Sequence, residues 1–463
     1  MTTTPPPSQP GRLSRRAVLA QAWPIIVGQA SIPLVGLADV AVIGRTGDSV
    51  ALAGVALGAT VIGMIFWSFG FLRMGMTGLT AQAQGAAEAG TGHRAEIDLL
   101  LLRALMIGGG IGLFLLLLRI PLADLAFSVL AGGEDVSAEA RAYVEARFLG
   151  APAALCGFAI NGWLLGLGRT RAALMLQICV NFVNLALDIG FVWGLGMGAQ
   201  GVGLGTAGAE WLALIAGLAI TTRIAGHSPL AIARAAGRAA VLERAALMRM
   251  FAVNRDLMIR TMALLLMFAW FANAGARLGT ETLAANHVLL QFIEIAAFVL
   301  DAFAFTAEAR VGHAIGARSR TDFLRAIRLT GEFSLLAGLL LSLIFLAAGQ
   351  ALIDVLTTDP GVRAEAARFL PFAAMVPLLG MPSWLLDGIF IGATRGRALR
   401  NSALIATMIY LLIDLLLRPQ GAVGVWMAIS ASYLLRAGTL AWHFPALLRS
   451  IDALPPVAEN RIH

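Results

Sequence analysis

The chain has 463 residues, of which 59% are hydrophobic and 13% charged, with a mean hydropathy of +0.81. An ordinary soluble domain carries about 25% charged residues, so composition excludes that class and predicts an all-α polytopic membrane protein. The net charge is +7 and all 34 basic residues are Arg, but they lie scattered in short connections, which argues against nucleic acid as a partner.

In chain order, residues 1–16 form a Pro/Thr/Ser-rich tail ending in Arg15 and Arg16. The apolar run that follows is too long for a signal-peptide core and lacks a clear cleavage site, so it reads as a first span that is retained. A span needs about 20 predominantly apolar residues. That rule gives twelve candidates, near 17–44, 51–72, 99–118, 143–168, 172–195, 201–222, 256–276, 282–307, 329–349, 369–393, 401–417 and 421–444. The second helix is expected to continue to about Gln84, because Arg73 is the only charge before Glu88. Cys156 and Cys179 both sit in apolar runs, with no spacing that implies a disulfide framework or a metal site.

The arginines alternate between loops. One set of connections holds most of them, including Arg12, Arg15, Arg16, Arg94, Arg169, Arg171, Arg395, Arg397, Arg400 and Arg461. The other holds only Arg45, Arg119, Arg141, Arg147, Arg277, Arg363, Arg368 and Arg418, and its loops at 119–141 and 354–368 are the acidic ones. The positive-inside rule then puts both termini in the cytoplasm. The widest inner connection, from Arg223 to about Arg255, intersperses arginine among alanine and leucine and reads as an amphipathic surface helix. It divides the chain into a lobe at 17–225, a linker at 226–250, a second lobe at 251–448 and a tail at 449–463.

An internal repeat supports the division. Thr80-Ala81-Gln82 matches Thr306-Ala307-Glu308 at an offset of 226, and the same offset pairs Arg94 with Arg320, Asn161-Gly162 with Asp387-Gly388, Gly166 with Gly392, Arg169 with Arg395, and Asp188 with Asp414. Near the end it becomes 220, where Gln200-Gly201 meets Gln420-Gly421. Six spans separate equivalent points, so the two lobes share one orientation. Parallel six-span repeats are a recurring transporter plan with the substrate path between the halves.

Two acids stand out. Asp39 is the one charge between Ala17 and Gly44, and Asp188 the one charge between Ala172 and Gln200. Asn181, Asn184 and Asp188, spaced three and four apart, share a helix face. A carboxylate at bilayer depth costs roughly 2.5–3.5 kcal/mol on insertion scales, which marks both acids as candidates for a proton or sodium site. In the second lobe Glu294, Asp301 and Glu308 recur every seven residues, and Asp387 and Asp414 are further acids at membrane depth. These either attract a cationic substrate or hold the lobe together. Arg73 is expected to pair across the interface with Asp301 or Glu294, and Glu308 with Arg310 or Arg318. Pro33 removes a helix hydrogen bond close to Asp39. Met64, Phe66, Trp67, Met74, Met76, Phe292, Phe298 and Trp384 offer soft and aromatic surface to an apolar cation.

Three stretches resemble a known family. Trp23-Pro24-Ile25-Ile26 through Pro33-Leu34-Val35-Gly36-Leu37-Ala38-Asp39 is similar to the first helix of the multidrug and toxic compound extrusion (MATE) transporters. Trp67-Ser68-Phe69-Gly70-Phe71-Leu72-Arg73-Met74-Gly75 and Leu300-Asp301-Ala302-Phe303-Ala304-Phe305-Thr306-Ala307-Glu308 resemble its DinF-type branch, and the likeness extends over about 17–448. It implies twelve transmembrane helices in two pseudo-symmetric six-helix lobes around a V-shaped cavity. It also implies a bacterial inner-membrane antiporter that exports amphipathic or cationic compounds in exchange for H+ or Na+, with no cofactor. Carried over by motif, Asp39, Asn184, Asp188 and Thr206 form the cation site, Asn161 lies near that network, Tyr143 supplies an aromatic hydroxyl near the cavity mouth, and Pro24 is the proline of the proposed bend. Arg73, Glu294, Asp301 and Asp387 remain candidates for the substrate cavity.

Asp39 and Asp188 are expected to face each other. Two carboxylates in low dielectric do not both stay charged, so they share a proton or surround a cation. Asp39, Asn184, Asp188 and Thr206 would supply the oxygens for Na+, and both chemistries stay open. Neutralisation of Asp39 would let the first helix bend and shrink the cavity. One rival function is a flippase or exporter of a lipid-like or metabolite substrate; a flippase would present a strongly cationic cavity for anionic substrates, whereas acids outnumber bases in the expected interior. An enzyme is disfavoured by the lack of HExxH, Gly-x-Ser-x-Gly or a phosphate-binding loop, and the missing Walker motif disfavours ATP drive. The expected working unit is a monomer in contact with membrane lipid.

Overall fold

The computed structural model describes residues 13–129 and 133–452. Residues 1–12 with Arg12, residues 130–132 of the acidic loop, and most of the 449–463 tail with Arg461 lie outside the described residues.

The first lobe opens with α1 (Arg15–Gly44), started by Ser14, whose Oγ accepts from the Ala17 amide at 3.2 Å. Helix α1 runs unbroken through Pro24 and Pro33. The next span is broken at Phe69–Gly70 into α2 (Ser49–Ser68) and α3 (Phe71–Glu88). After α4 (Arg94–Leu117) and a short α5 (Arg119–Val129) come α6 (Glu134–Phe148) and α7 (Ala151–Gly166). These two meet at 54°, at Leu149–Gly150 just before Pro152 at the start of α7. The expected fourth span, 143–168, is therefore a bent pair. Its Arg147, expected in an outer loop, is buried near the end of α6. Helix α8 (Thr170–Asp188) runs into a π-helical turn, Ile189–Gly194, and α9 (Gly198–Ala225) closes the lobe.

A surface helix, α10 (Pro229–Val241), connects the lobes. The buried Arg103 of α4 donates to the Ala240 and Val241 carbonyls at 2.8 and 3.2 Å and pins α10 to the first lobe. The second lobe is α11 (Arg244–Leu278), α12 (Thr280–Gly316), α13 (Arg320–Leu356), α14 (Pro360–Gly392), α15 (Gly396–Leu417) and α16 (Ala422–Asp452). Among the described residues eleven helices are long and apolar enough to span a bilayer, twelve when the bent α6–α7 pair counts as one. The protein is a multi-pass helical membrane protein. Because the spans alternate in direction, α1 begins and α16 ends on the same face, here the terminal face.

The lobes meet through α3 against α12, flanked by α1, α11 and α14. The pairing is reciprocal. A methyl group on Gly85 would run into the His313 carbonyl, and one on Gly316 into the Gln82 carbonyl. The equivalent positions in these two contacts are 231 residues apart (85 and 316, 82 and 313), and so are Ala81 and Gly312, which touch. The α3–α12 register is therefore not the 226 expected from matching Thr80-Ala81-Gln82 with Thr306-Ala307-Glu308. The α7–α14 register is 226: Gly162 packs on the Arg73 carbonyl, and Gly388 on that of Ala304, again 231 from residue 73. The five-residue difference lies in the turns. Nine positions separate Gly85 from Arg94, and four separate Gly316 from Arg320.

Polar contacts between the lobes sit in the halves nearest the terminal face. They join Arg15 to Glu332 (2.9 Å), Arg325 to the Leu13 carbonyl (2.6 Å), Arg310 to Gln21 (2.7 Å) and His313 to Glu88 (2.8 Å). Gln82 donates to the Gly392 carbonyl and to Thr394 at 2.8 and 3.1 Å. Toward the opposite face the ring contact of Trp67 with Phe268 remains, with centroids 6.3 Å apart.

Candidate ion-coupling site

Asp39, on α1, is brought to the end of α8 by two flanking hydrogen bonds. Asn181 donates to the Ser31 carbonyl at 3.0 Å, and Trp193, in the π-helical turn, to the Val42 carbonyl at 2.9 Å. Between these points Asp39 neighbours Asp188 and Asn184. Asn184 Nδ2 donates to Asp188 Oδ2 and to Thr206 Oγ1, both at 3.0 Å. The Thr206 hydroxyl gives its proton to the Val202 carbonyl at 3.0 Å, so it accepts from Asn184, which fixes the orientation of that amide.

Asn184 and Asp188 are fully buried, and Asp39 and Thr206 are 4% and 5% exposed. In this buried cluster Asp39 Oδ1, Asp188 Oδ1 and Asn184 Oδ1 have no hydrogen-bond partner among the described residues. Buried acceptors left unmade are costly. An acid pair with orphaned oxygens is chemically matched to a shared proton or to a hard cation that prefers oxygen ligands. Gly205 makes room, since a methyl group there would run into Asp188 Oδ1. Sequence reasoning missed Gly205, as it did the π-helical turn that follows Asp188, a feature frequent at functional sites.

Tyr143 is buried on α6 among these groups, 3% exposed, packed where Gly58 of α2 and Gly203 of α9 leave space. It is an interior residue and not one at a cavity mouth. One turn on, Arg147 makes a two-pronged ion pair with Glu210 of α9, both bonds 2.8 Å. Assignment of Arg147 to a loop hid this pair. Asn161 lies apart from the acid cluster. It lines a water-sized cavity of 40 Å³ with Pro24, Gln29, Arg73 and Gln177. Pro24 is buried there, whereas Pro33 is exposed.

Three second-lobe acids, Asp387, Asp414 and Glu308, are paired with arginine. Asp387 Oδ2 accepts from Arg260 and, at 2.6 Å, from Arg436. Asp414 accepts from the Trp270 indole at 2.9 Å and from Arg277 at 3.3 Å. Arg73 pairs with Glu308 at 3.5 Å and lies 3.8 Å over the Phe305 ring, so its partner is neither Asp301 nor Glu294, and Glu308 is not held by Arg310 or Arg318. Asp301 sits in the field of Arg73, Arg260 and Arg436, and Glu294 is exposed on α12. Around the interface three acids (Asp301, Glu308, Asp387) face three arginines (Arg73, Arg260, Arg436), so the expected excess of acids is absent there. Of the soft and aromatic candidates, Phe66, Met76 and Phe292 are core, while Met64 and Trp67 are 55% and 50% exposed.

Comparison with known proteins identifies the family and the fold. A family model described as MatE matches residues 24–189 and 257–434, one segment in each lobe. The DNA damage-inducible protein F of Escherichia coli K12 is 38% identical over 429 residues, 92% of this chain and 91% of that protein. A probable multidrug resistance protein NorM of Deinococcus radiodurans is 28% identical, covering 96% of this chain and 98% of its own length. Among solved structures, the Vibrio cholerae MATE transporter VcmN in the bent form superposes with a TM-score of 0.82 at 18% identity, over 95% of this chain and 98% of that one. A MOP superfamily transporter from Pyrococcus furiosus does so at 0.83 and 16%, over 95% and 97%. At such identities the structural likeness speaks for the fold, while the family match and the Escherichia coli relative speak for descent: the chain belongs to the MATE family of membrane transporters, in its DinF-type branch.

Proposed function

We propose that this transporter is a secondary antiporter that drives export of amphipathic, neutral or cationic organic compounds with an inward flow of H+ or Na+ through the Asp39–Asp188 pair. The observation that carries the reading is the set of three buried oxygens on Asp39, Asp188 and Asn184 that no described residue satisfies, with no basic side chain among the described residues hydrogen-bonded to either acid. An ion arriving there neutralises the pair. Its departure restores a charge that the dry site tolerates poorly, so occupancy is strongly linked to conformation. Asp39 lies on α1, the helix that carries Pro24 and Pro33, and a change in its charge bears on a helix already weakened at the Ala20 and Gln29 carbonyls. The terminal face, rich in arginine, is cytoplasmic by the positive-inside rule, and the protein resides in the bacterial inner membrane. With the lobes locked on that face, the cleft opens outward. Half-exposed Met64 and Trp67 supply adaptable apolar surface for cargo.

The test is ethidium efflux from vesicles with proton and sodium gradients imposed separately, for wild type and Asp39→Asn. Efflux driven by one gradient and lost in the variant supports the reading and names the ion. Efflux indifferent to the substitution overturns it. The flippase alternative draws on the charge-balanced interface described above, and the same vesicles carrying fluorescent lipid analogues would report it.

A further inference from the structure

On the terminal face of the second lobe, behind the turn that joins α14 to α15, lies a cavity of 460 Å³. Its floor is apolar, with Phe390 and Leu447, and its rim carries Arg395, Arg397, Asn401 and His443. Neither Arg395 nor Arg397 makes an ion pair or side-chain hydrogen bond among the described residues. The single carboxylate on the wall, Asp256, already accepts from Arg400 at 2.9 Å and Arg255 at 3.2 Å. Asn401 accepts from Arg400 through its carbonyl oxygen, which leaves its amide hydrogens free, while His443 donates from Nδ1 to the Thr439 carbonyl at 2.8 Å. Gly396, Arg397 and Ala398 in the first turn of α15 line the same space; the Ala398 amide donates to the Arg395 carbonyl at 3.0 Å, the Asp256 side chain packs against Gly396, and the cap residue Arg395 offers no side-chain acceptor to the leading amides. The rim thus holds two arginines that no described residue satisfies, beside one carboxylate that two other arginines already share.

The turn itself is strained and connected. Thr394 has φ +53°, a left-handed conformation costly for a β-branched residue, where the first lobe has Gly168 at φ +67° at the matching position. Thr394 lines the cavity and accepts from Gln82 of the first lobe. Strain of this kind persists where surrounding contacts hold it and marks a site for a functional hypothesis.

We infer that this cavity binds a phosphate group, with the arginine pair and the α15 amides as donors, and that its occupancy steadies the Thr394 turn against Gln82 and so favours closure of the lobes on the terminal face. Arginine forks and helix N-termini are both matched to phosphate oxygens. The apolar floor, at the membrane-water boundary, fits the glycerol and first acyl carbons of an anionic phospholipid. Basic recesses between transmembrane helices recognise such headgroups. The same donors would take inorganic phosphate.

The test uses the full chain in nanodiscs of phosphatidylcholine, with stepwise addition of phosphatidylglycerol or, in a second arm, of inorganic phosphate, and thermal stability as the readout. The variants are Arg395→Gln/Arg397→Gln and, as a charge-matched control on the same face, Arg169→Gln/Arg171→Gln. Stabilisation by phosphatidylglycerol that weakens at least roughly tenfold in apparent affinity in the first variant and persists in the control assigns the site to lipid. The same pattern with inorganic phosphate alone assigns it to a soluble anion. A response equal in both variants, or no response to either ligand in the wild type, overturns the inference. Cross-linking of introduced cysteines at Ala89 and Ala317, which flank the α3–α12 contact on the terminal face, reads the closure. Its rate is expected to rise with the ligand and to be unmoved by it in Arg395→Gln/Arg397→Gln. A ligand effect on stability with no effect on cross-linking would overturn the link to closure.

Discussion

Asp188 and Asp414 hold equivalent positions at the far ends of α8 and α15, 226 residues apart, and share the same burial, yet their surroundings are opposite in kind. Asp414 has an indole donor and the Arg277 guanidinium, with Arg418 at 3.9 Å. Asp188 has an amide, a second acid within reach, and an oxygen without a partner. The backbone repeat has been kept while the charge repeat has not. A carboxylate compensated by arginine is fixed in one state, because uncovering it leaves a bare buried charge at a cost of about 3–5 kcal/mol. An acid pair without such a partner is chemically suited to gain and lose a proton or cation. The second lobe is the braced half, and under the proposed function the first carries the movable charge.

The comparison breaks most directly by moving the charge. Asp39→Asn or Asp188→Asn is expected to abolish gradient-driven efflux while leaving the melting temperature close to wild type. Asp414→Asn is expected to retain coupling in whatever protein survives purification. Coupling lost equally in all three would erase the distinction between the lobes. The next largest effect concerns bracing. Arg260→Gln should cost about 3–5 kcal/mol in chemical denaturation, because Asp387 loses one of its two guanidinium partners inside the protein.

Smaller effects sharpen the boundary. Gly205→Ala places a methyl group against Asp188 Oδ1 and should destabilise the cluster by about 1–3 kcal/mol, as overpacking does, and weaken ion affinity in flux assays at varied gradient. Gly424→Ala serves as a second-lobe control in stability alone, since its clash is with the Leu417 carbonyl and not with an acid. Thr206→Val removes the acceptor of one Asn184 hydrogen, for a loss of about 1 kcal/mol, and Thr206→Ser should restore it. An ion dependence unchanged in Thr206→Val would place Thr206 outside the coupling machinery.

The acids at 39 and 188 were legible because an isolated charge in an apolar run is visible in one dimension, and Asn184 because helical spacing puts it beside Asp188. Thr206 and Asn161 came from family likeness. The structure brings Thr206 into the cluster and puts Asn161 beside Arg73 instead. Arg147 was misread because a charge near a span boundary looks like a loop residue until the helix bend at Gly150 carries it inward. Compensation was the larger gap: Asp387 meets Arg260 and Arg436 at separations of 127 and 49 residues, and no local pattern encodes those meetings.

The sequence by itself determined the class, the spans, the repeat and the identity of the two lone acids, since each depends on hydropathy and spacing along the chain. Tertiary structure alone decided which acids are free and which are neutralised. It also set the 231-residue register of the lobe contact, because both follow from backbones and guanidinium groups approaching within a few ångströms across helices that the chain order keeps far apart.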